Sequence, residues 1–183
     1  MTEPHINEYV GTHRLANADG RASVLVLADT HLGPRRAGAL IDTLGDRLDR
    51  ADLIIHAGDI TSSDVLESLV RCAPVTAVKG NNDADLDLPH RAMVRVAGYR
   101  IAIVHDSGAA NGRPTRLATM FPDADVVVFG HSHLPWNQNV EVAGRVQRHF
   151  NPGSATQRRR APTRTIGWIE IDHTGLRCRH EHI

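Results

Sequence analysis

Apolar residues come along this chain in short continuous runs, each closed by a polar cluster. Val24 to Ala28, Leu53 to Ile55 and Val126 to Phe129 are such runs. Continuous apolar content over so few residues predicts strands buried on both faces. Between the first of these runs and the next, Ala37, Leu40, Ile41, Leu44 and Leu48 recur at helical spacing and predict a helix filling most of 36–50. Val65, Leu66, Leu69 and Val70 predict a second helix, capped by Thr61 or Ser62. Pro74 then precedes a third strand over 75–78. A β-α-β-α-β order predicts three parallel strands joined by right-handed crossovers.

After residue 90 the rhythm changes. Strands over 92–96 and 100–104 flank Ala97-Gly98 and read as an antiparallel hairpin. A helix over 114–120 leads to the strand at 125–129. Strands over 139–142 and 145–149 flank Ala143-Gly144, and strands over 166–171 and 176–179 finish the chain. The expected architecture is α/β: two sheets packed face to face with helices outside. Residues 1–22 are polar and aperiodic and are expected to form an irregular extension. Residues 23–183 are expected to form a single domain.

Composition narrows this picture. A chain of 183 residues with 41% hydrophobic and 23% charged residues is ordinary for one soluble domain. Net charge is zero, so no global field favours nucleic acid or membrane as a stable partner. No stretch approaches the roughly 20 apolar residues of a membrane span, and the start of the sequence lacks a signal pattern. Two distant cysteines, Cys72 and Cys178, argue against a disulfide framework and for a cytoplasmic protein. The basic residues are arginines except for Lys79. Histidine is abundant, at 12 residues.

The chemistry lies where the strands end. Five apolar strands finish in potential metal ligands: Asp29 with His31, Asp59, Asn81, His105, and His131 with His133. Asp29 and His31 are two positions apart, so an extended backbone would send both to the same side. Ligands bind at strand ends in open parallel sheets. A buried strand gains nothing by ending repeatedly in a polar donor. Gly58, Gly80 and Gly130 stand directly before Asp59, Asn81 and His131 and permit sharp turns there. All the donors are oxygen or nitrogen, which suits Mn, Fe, Zn or Ni.

In this order the motifs D-x-H, G-D, G-N-x-D, a strand-terminal His and G-H-x-H resemble those of the calcineurin-like metallophosphoesterases. H-A-G-D at His56 to Asp59 and N-P-G-S at Asn151 to Ser154 resemble the small single-domain bacterial branch, the YfcE-type phosphodiesterases. The resemblance implies a four-layer α/β/β/α sandwich and two divalent transition-metal ions, manganese being the expected metal. Carried over by motif, Asp29, His31 and His133 would hold one ion, Asn81, His105 and His131 the other, and Asp59 would bridge them. Asp59, Asn81 and His105 would be the catalytic residues.

The implied activity is hydrolysis of a small phosphodiester by a metal-bridging hydroxide. Two divalent ions less the charges of Asp29 and Asp59 leave two positive charges. One hydroxide and one monoanionic diester balance these, whereas a dianionic monoester would not. The alternatives are a phosphomonoesterase or nucleotidase on the same site, or a non-catalytic protein-binding scaffold like the retromer subunit of this fold. Homo-oligomerisation is left open.

The chain departs from the family pattern at Asn82, where the usual His would help protonate the leaving group; an amide cannot. His56 is expected to be a hydrogen-bonded core residue and Asp83 to orient the loop. Asp106 either holds the His105 ring or faces solvent. Arg158 to Arg160 form either a solvated loop or a phosphate contact. Trp136 and Trp168 are expected to pack in the sheets.

Overall fold

A computed structural model describes residues 8–15, as backbone, and residues 20–183, without the Val142 side chain. The strands are β1 (Glu8–Leu15), β2 (Ala22–Leu27), β3 (Leu53–His56), β4 (Val75–Ala77), β5 (Arg91–Val96), β6 (Tyr99–Val104), β7 (Val126–Val128), β8 (Trp136–Val142), β9 (Arg145–Asn151), β10 (Thr165–Asp172) and β11 (Gly175–His182). The helices are α1 (Ala37–Leu44), α2 (Ser63–Val70) and α3 (Arg113–Met120). One sheet has the order β1-β5-β6-β7-β9-β8, the other β11-β10-β2-β3-β4. Both are mixed. In the second, β2, β3 and β4 run parallel while β10 is antiparallel to both β2 and β11.

The layering follows from the alternation of side chains along each strand. Val24, Val26, Leu53, Ile55, Ile169 and Ile171 face Val94, Ile101, Ile103, Val126, Val128 and Phe150 across one buried core between the sheets. The other faces carry separate cores. Leu25, Leu27, Ile54, Ile166 and Trp168 pack under Leu40, Leu44, Val65 and Leu69 of α1 and α2. Ala102, Val104, Val127 and Phe129 pack under Leu117 of α3 and Phe121. This is the expected α/β/β/α sandwich. Strands covered on both faces need apolar residues at every position, which is why the runs are continuous.

Three expectations are corrected. Part of the N-terminal stretch expected to be irregular is a strand: Glu8–Leu15 pairs in parallel with β5 at the sheet edge. Polar strands at an edge lack a two-sided apolar signal, so periodicity misses them. Residues 1–7 and 16–19, His5 among them, lie outside the described residues. The helix expected over most of 36–50 stops at Leu44. Gly45 (φ 50°) turns the chain into a single 3-10 turn, Gly45–Arg47. Trp168 is buried as expected, but Trp136 is 39% exposed and lies under the Arg113 guanidinium. The β5–β6 and β8–β9 turns are two-residue loops with Ala97-Gly98 and Ala143-Gly144 at positive φ, the twist that suits a tight hairpin. No helix among the described residues is long and apolar enough to cross a membrane.

Candidate metal centre

The seven predicted ligands lie beyond the ends of β2, β3, β4, β6 and β7, and the backbone there is unusual. Asp29 (φ 54°), His31 (46°), Asp59 (57°), His131 (67°) and His133 (58°) are all left-handed. Non-glycine residues rarely adopt this region, and strain of this kind needs support from its surroundings. The extended geometry expected of Asp29 and His31 is therefore wrong. β2 ends at Leu27, and two left-handed residues, not strand alternation, bring these side chains together.

The support is a lattice of hydrogen bonds. Asp29 N donates to Gly58 O (2.9 Å) and His31 N to Asp59 O (3.0 Å), stitching the β2 and β3 loops. Ser154 Oγ donates to Asp29 O (2.8 Å) and Thr156 Oγ1 to Thr30 O (2.6 Å). Asn151 Nδ2 donates to Gly130 O (2.9 Å). Asp83, buried, accepts from the amides of Asp59 (2.8 Å), Gly80 (2.8 Å) and Thr61 (2.7 Å), the loop-orienting part expected of it. Glycine is required at two points. Gly58 has φ 87°, and a Cβ there would stand 2.7 Å from His105 Nδ1. A Cβ at Gly80 would collide with the backbone nitrogen and Oδ1 of Asp59.

The side chains converge in two groups. In the first, one donor atom each of Asp29, His31 and His133 lies within 4.8 Å of the others. His31 Nε2 is 3.2 Å from His133 Nε2, and His133 Nε2 is 3.6 Å from Asp29 Oδ1. The second group is Asp59, His105 and His131, on the same criterion. Asn81 joins it, with Oδ1 3.1 Å from His105 Nε2 and 2.9 Å from His131 Nδ1. Asp59 Oδ2 stands between the groups, 3.3 Å from His31 Nε2 and 3.4 Å from His105 Nε2.

Residues 23–174 match the calcineurin-like phosphoesterase superfamily domain. The chain belongs to this superfamily. A probable metallophosphoesterase of Methanothermobacter thermautotrophicus is 33% identical over 135 residues, 72% of this chain and 76% of the relative. Solved structures that share the fold include the following two. The phosphoesterase Yfce of E. coli has a TM-score of 0.56 and 22% identity, covering 82% of this chain and 88% of the other. Vacuolar protein sorting 29 of Cryptosporidium parvum has a TM-score of 0.66 and 17% identity, covering 89% and 98%. As a member of the superfamily, the chain is of the metal-dependent phosphoesterase type.

The calcineurin-like site fits divalent metal on its own chemistry. Asp29 Oδ2 is buried with no hydrogen-bond partner, a costly arrangement for a carboxylate oxygen unless a cation meets it. Two imidazoles are anchored through Nδ1, His105 to Ala57 O (2.7 Å) and His133 to Gln157 O (2.7 Å). A carbonyl only accepts, so both Nδ1 atoms carry the proton and both Nε2 atoms face the site. Burial pushes the Asp29 carboxyl up to about 7 and the His133 imidazole down to about 4, and it lowers His31 as well. Burial would also raise Asp59, but hydrogen bonds from His105 and Asn82 outweigh it and hold the carboxyl low. His105 is the converse: burial opposes its charge, and the bond to Asp59 raises it nonetheless.

The remaining candidates separate cleanly. Asn82 donates from Nδ2 to Asp59 Oδ2 (2.8 Å) and from its backbone to Asp59 Oδ1 (2.9 Å). His56 is a fully buried core residue, its Nε2 3.1 Å from Thr30 Oγ1, and burial depresses its pKa to about 3. Asp106 faces outward and accepts from Gly108 N, while His105 is held by Ala57 instead. Arg158 to Arg160 are exposed, with Arg158 tied to Ala161 O. Arg159 is close enough to act electrostatically on Asp29, His31 and His133. Gln157 was not singled out by sequence reading: it acts through its carbonyl, which no residue type reveals. Ser154 and Asn151 were visible only as the N-P-G-S motif, without a role.

Proposed function

We propose that the chain is a dinuclear-metal phosphodiesterase. The observation that supports it most is the position of Asp59 Oδ2, within 3.4 Å of a donor in each ligand group. In this reading Asp29, His31 and His133 hold one ion, Asn81, His105 and His131 the other, and Asp59 both. Two such ions would supply an activated water and draw charge from the phosphate oxygens. Manganese suits the oxygen- and nitrogen-only donors, as would Fe, Zn or Ni.

The protein's own residues do the rest. Asp59, kept low in pKa, stays anionic throughout the neutral range. With the Asp29 carboxylate it reduces the charge of two divalent ions by two, which favours a monoanionic diester over a dianionic monoester. Asn81 would offer its ion a neutral oxygen and leave that ion's positive charge undiminished. His105 has its Nδ1 proton committed to Ala57 O, so it is a fixed donor and not a free acid. Asn82 orients Asp59 and has no proton to give a leaving group. Cys72 and Cys178 are both unbridged, in keeping with a reducing cytoplasmic compartment.

The test is hydrolysis of matched aryl diesters and monoesters by the Mn-loaded protein. Diesters are expected to react faster in kcat/KM. Faster monoester hydrolysis would establish the phosphomonoesterase or nucleotidase reading instead. Metal binding with no hydrolysis of either would favour a scaffold, the reading that the vacuolar sorting likeness in fold supports.

A further inference from the structure

A cavity of about 320 Å³ opens beside the Asn81–His105 side of the site. Its lining includes Asn81 and His105 themselves, together with Lys79, His90, Arg91 and Asp106. Four of these six carry basic side chains, and apart from His105 these are Lys79, His90 and Arg91. Lys79 is the only lysine of the chain. It is placed by its backbone amide, which donates to Pro89 O (2.8 Å), and its Nζ donates one of three N–H bonds to Ala84 O (3.1 Å). Arg91 is set by the sheet: it pairs with Val104, the residue before His105, and its guanidinium lies 6.0 Å from the Phe121 ring centroid. Asp106 is the one acid of the lining, and its Oδ1 already accepts from Gly108 N.

A phosphodiester has two ester arms, and one stays attached to phosphorus after the leaving group departs. With phosphorus at the ligand groups, the space next to Asn81 and His105 is where an arm would extend. An arm entering a cavity lined by an ammonium, a guanidinium and an imidazole gains most if it ends in an anion.

We propose that this cavity is a binding subsite for a second anionic group, a carboxylate or phosphate carried on the substrate's non-leaving arm. The proposal rests on the phosphodiesterase reading and names the class of diester the site prefers. The substrate is one that is charged twice: at the reacting phosphodiester and again along one arm. Lys79 supplies a point charge and Arg91 a planar fork, so a tetrahedral or planar anion is met from two elements, the β4–β5 loop and β5.

The experiment uses aryl alkyl phosphodiesters with one leaving group and alkyl arms of one length, ending in a methyl ester, a carboxylate or a phosphate. Steady-state kcat/KM is measured on the Mn-loaded full chain. The charged arms are expected to exceed the methyl ester by roughly tenfold, one well-placed charge-assisted contact at a partly exposed site. Separate Lys79→Met and Arg91→Gln variants are each expected to bring that ratio several-fold closer to one. The methyl ester rate of each variant reports whether its site is still assembled. Carboxylate and phosphate arms compared with each other say which anion fits better. A wild-type ratio at or below one overturns the subsite and leaves the phosphodiesterase reading intact. A high ratio unchanged in both variants overturns its assignment to this cavity. No hydrolysis of any of the three esters overturns the phosphodiesterase reading itself.

Discussion

Asp83 is none of the proposed metal ligands, yet it holds the loops that carry Asp59 and Asn81, and Asp83→Asn measures that support. The residue is 1% exposed and accepts three backbone amides, those of Asp59 and Gly80 on Oδ2 and that of Thr61 on Oδ1. An amide has one oxygen. If that oxygen takes the Oδ2 position, the new NH2 faces the Thr61 amide, and two donors meet. One charge-assisted bond is lost, leaving a buried donor unmet at about 2 kcal/mol, and two others fall to neutral strength at about 0.5–1 kcal/mol each. The sum is about 3–4 kcal/mol. Asp59 and Thr61 are themselves left-handed (φ 57° and 70°), so the lost bonds are the ones restraining strained backbone. Urea unfolding of chelated protein, where bound ions cannot mask the loss, is expected to show a lower midpoint at unchanged m-value. Asp106→Asn, an exposed change at the same end of the molecule, is expected to cost less than about 0.5 kcal/mol. A loss below about 1 kcal/mol in Asp83→Asn would refute the view that this carboxylate holds the loop.

Two further outcomes follow from the structure. Asn82 cannot donate a proton, so rates across diesters of graded leaving-group pKa are expected to fall steeply, and Asn82→His to flatten that slope by speeding poor leaving groups by roughly 10²-fold or more; a flat slope in the natural protein would show that another group supplies the proton. His149, 1% exposed and hydrogen-bonded at 2.8 Å to Gln147, has its pKa pushed down by burial to about 4. Its unfolded form takes up protons first, so stability is full above about pH 6.5 and declines as pH falls toward 4, by at most about 3 kcal/mol from this residue; a His149→Gln variant with the same pH dependence of unfolding as the natural protein would contradict this.

The core was legible because its signal is local. The runs Val24–Ala28, Leu53–Ile55 and Val126–Phe129 that make up most of β2, β3 and β7 are unbroken because both faces are covered, and that pattern needs no knowledge of neighbours. The ligands were legible for a related reason: each closes one of these runs, so strand order alone brings them to one end. What escaped was backbone conformation and backbone chemistry. Nothing in D-T-H says that Asp29 and His31 turn left-handed, because their support comes from Gly58, Asp59 and Ser154, far off in sequence. Gln157 and Ala57 orient histidines through carbonyls that every residue possesses. β1 escaped because pairing at an edge, not burial on two faces, makes it a strand.

The central claim is that two ions share Asp59. The direct measurement is manganese content after gel filtration, read together with the electron paramagnetic resonance spectrum of the same sample. Two Mn per chain with the spectrum of an exchange-coupled pair is the expected result, and Asp59→Asn is expected to lower occupancy of both sites and remove the coupling. One ion or none per chain, or two ions with uncoupled spectra that Asp59→Asn leaves unchanged, would contradict the account.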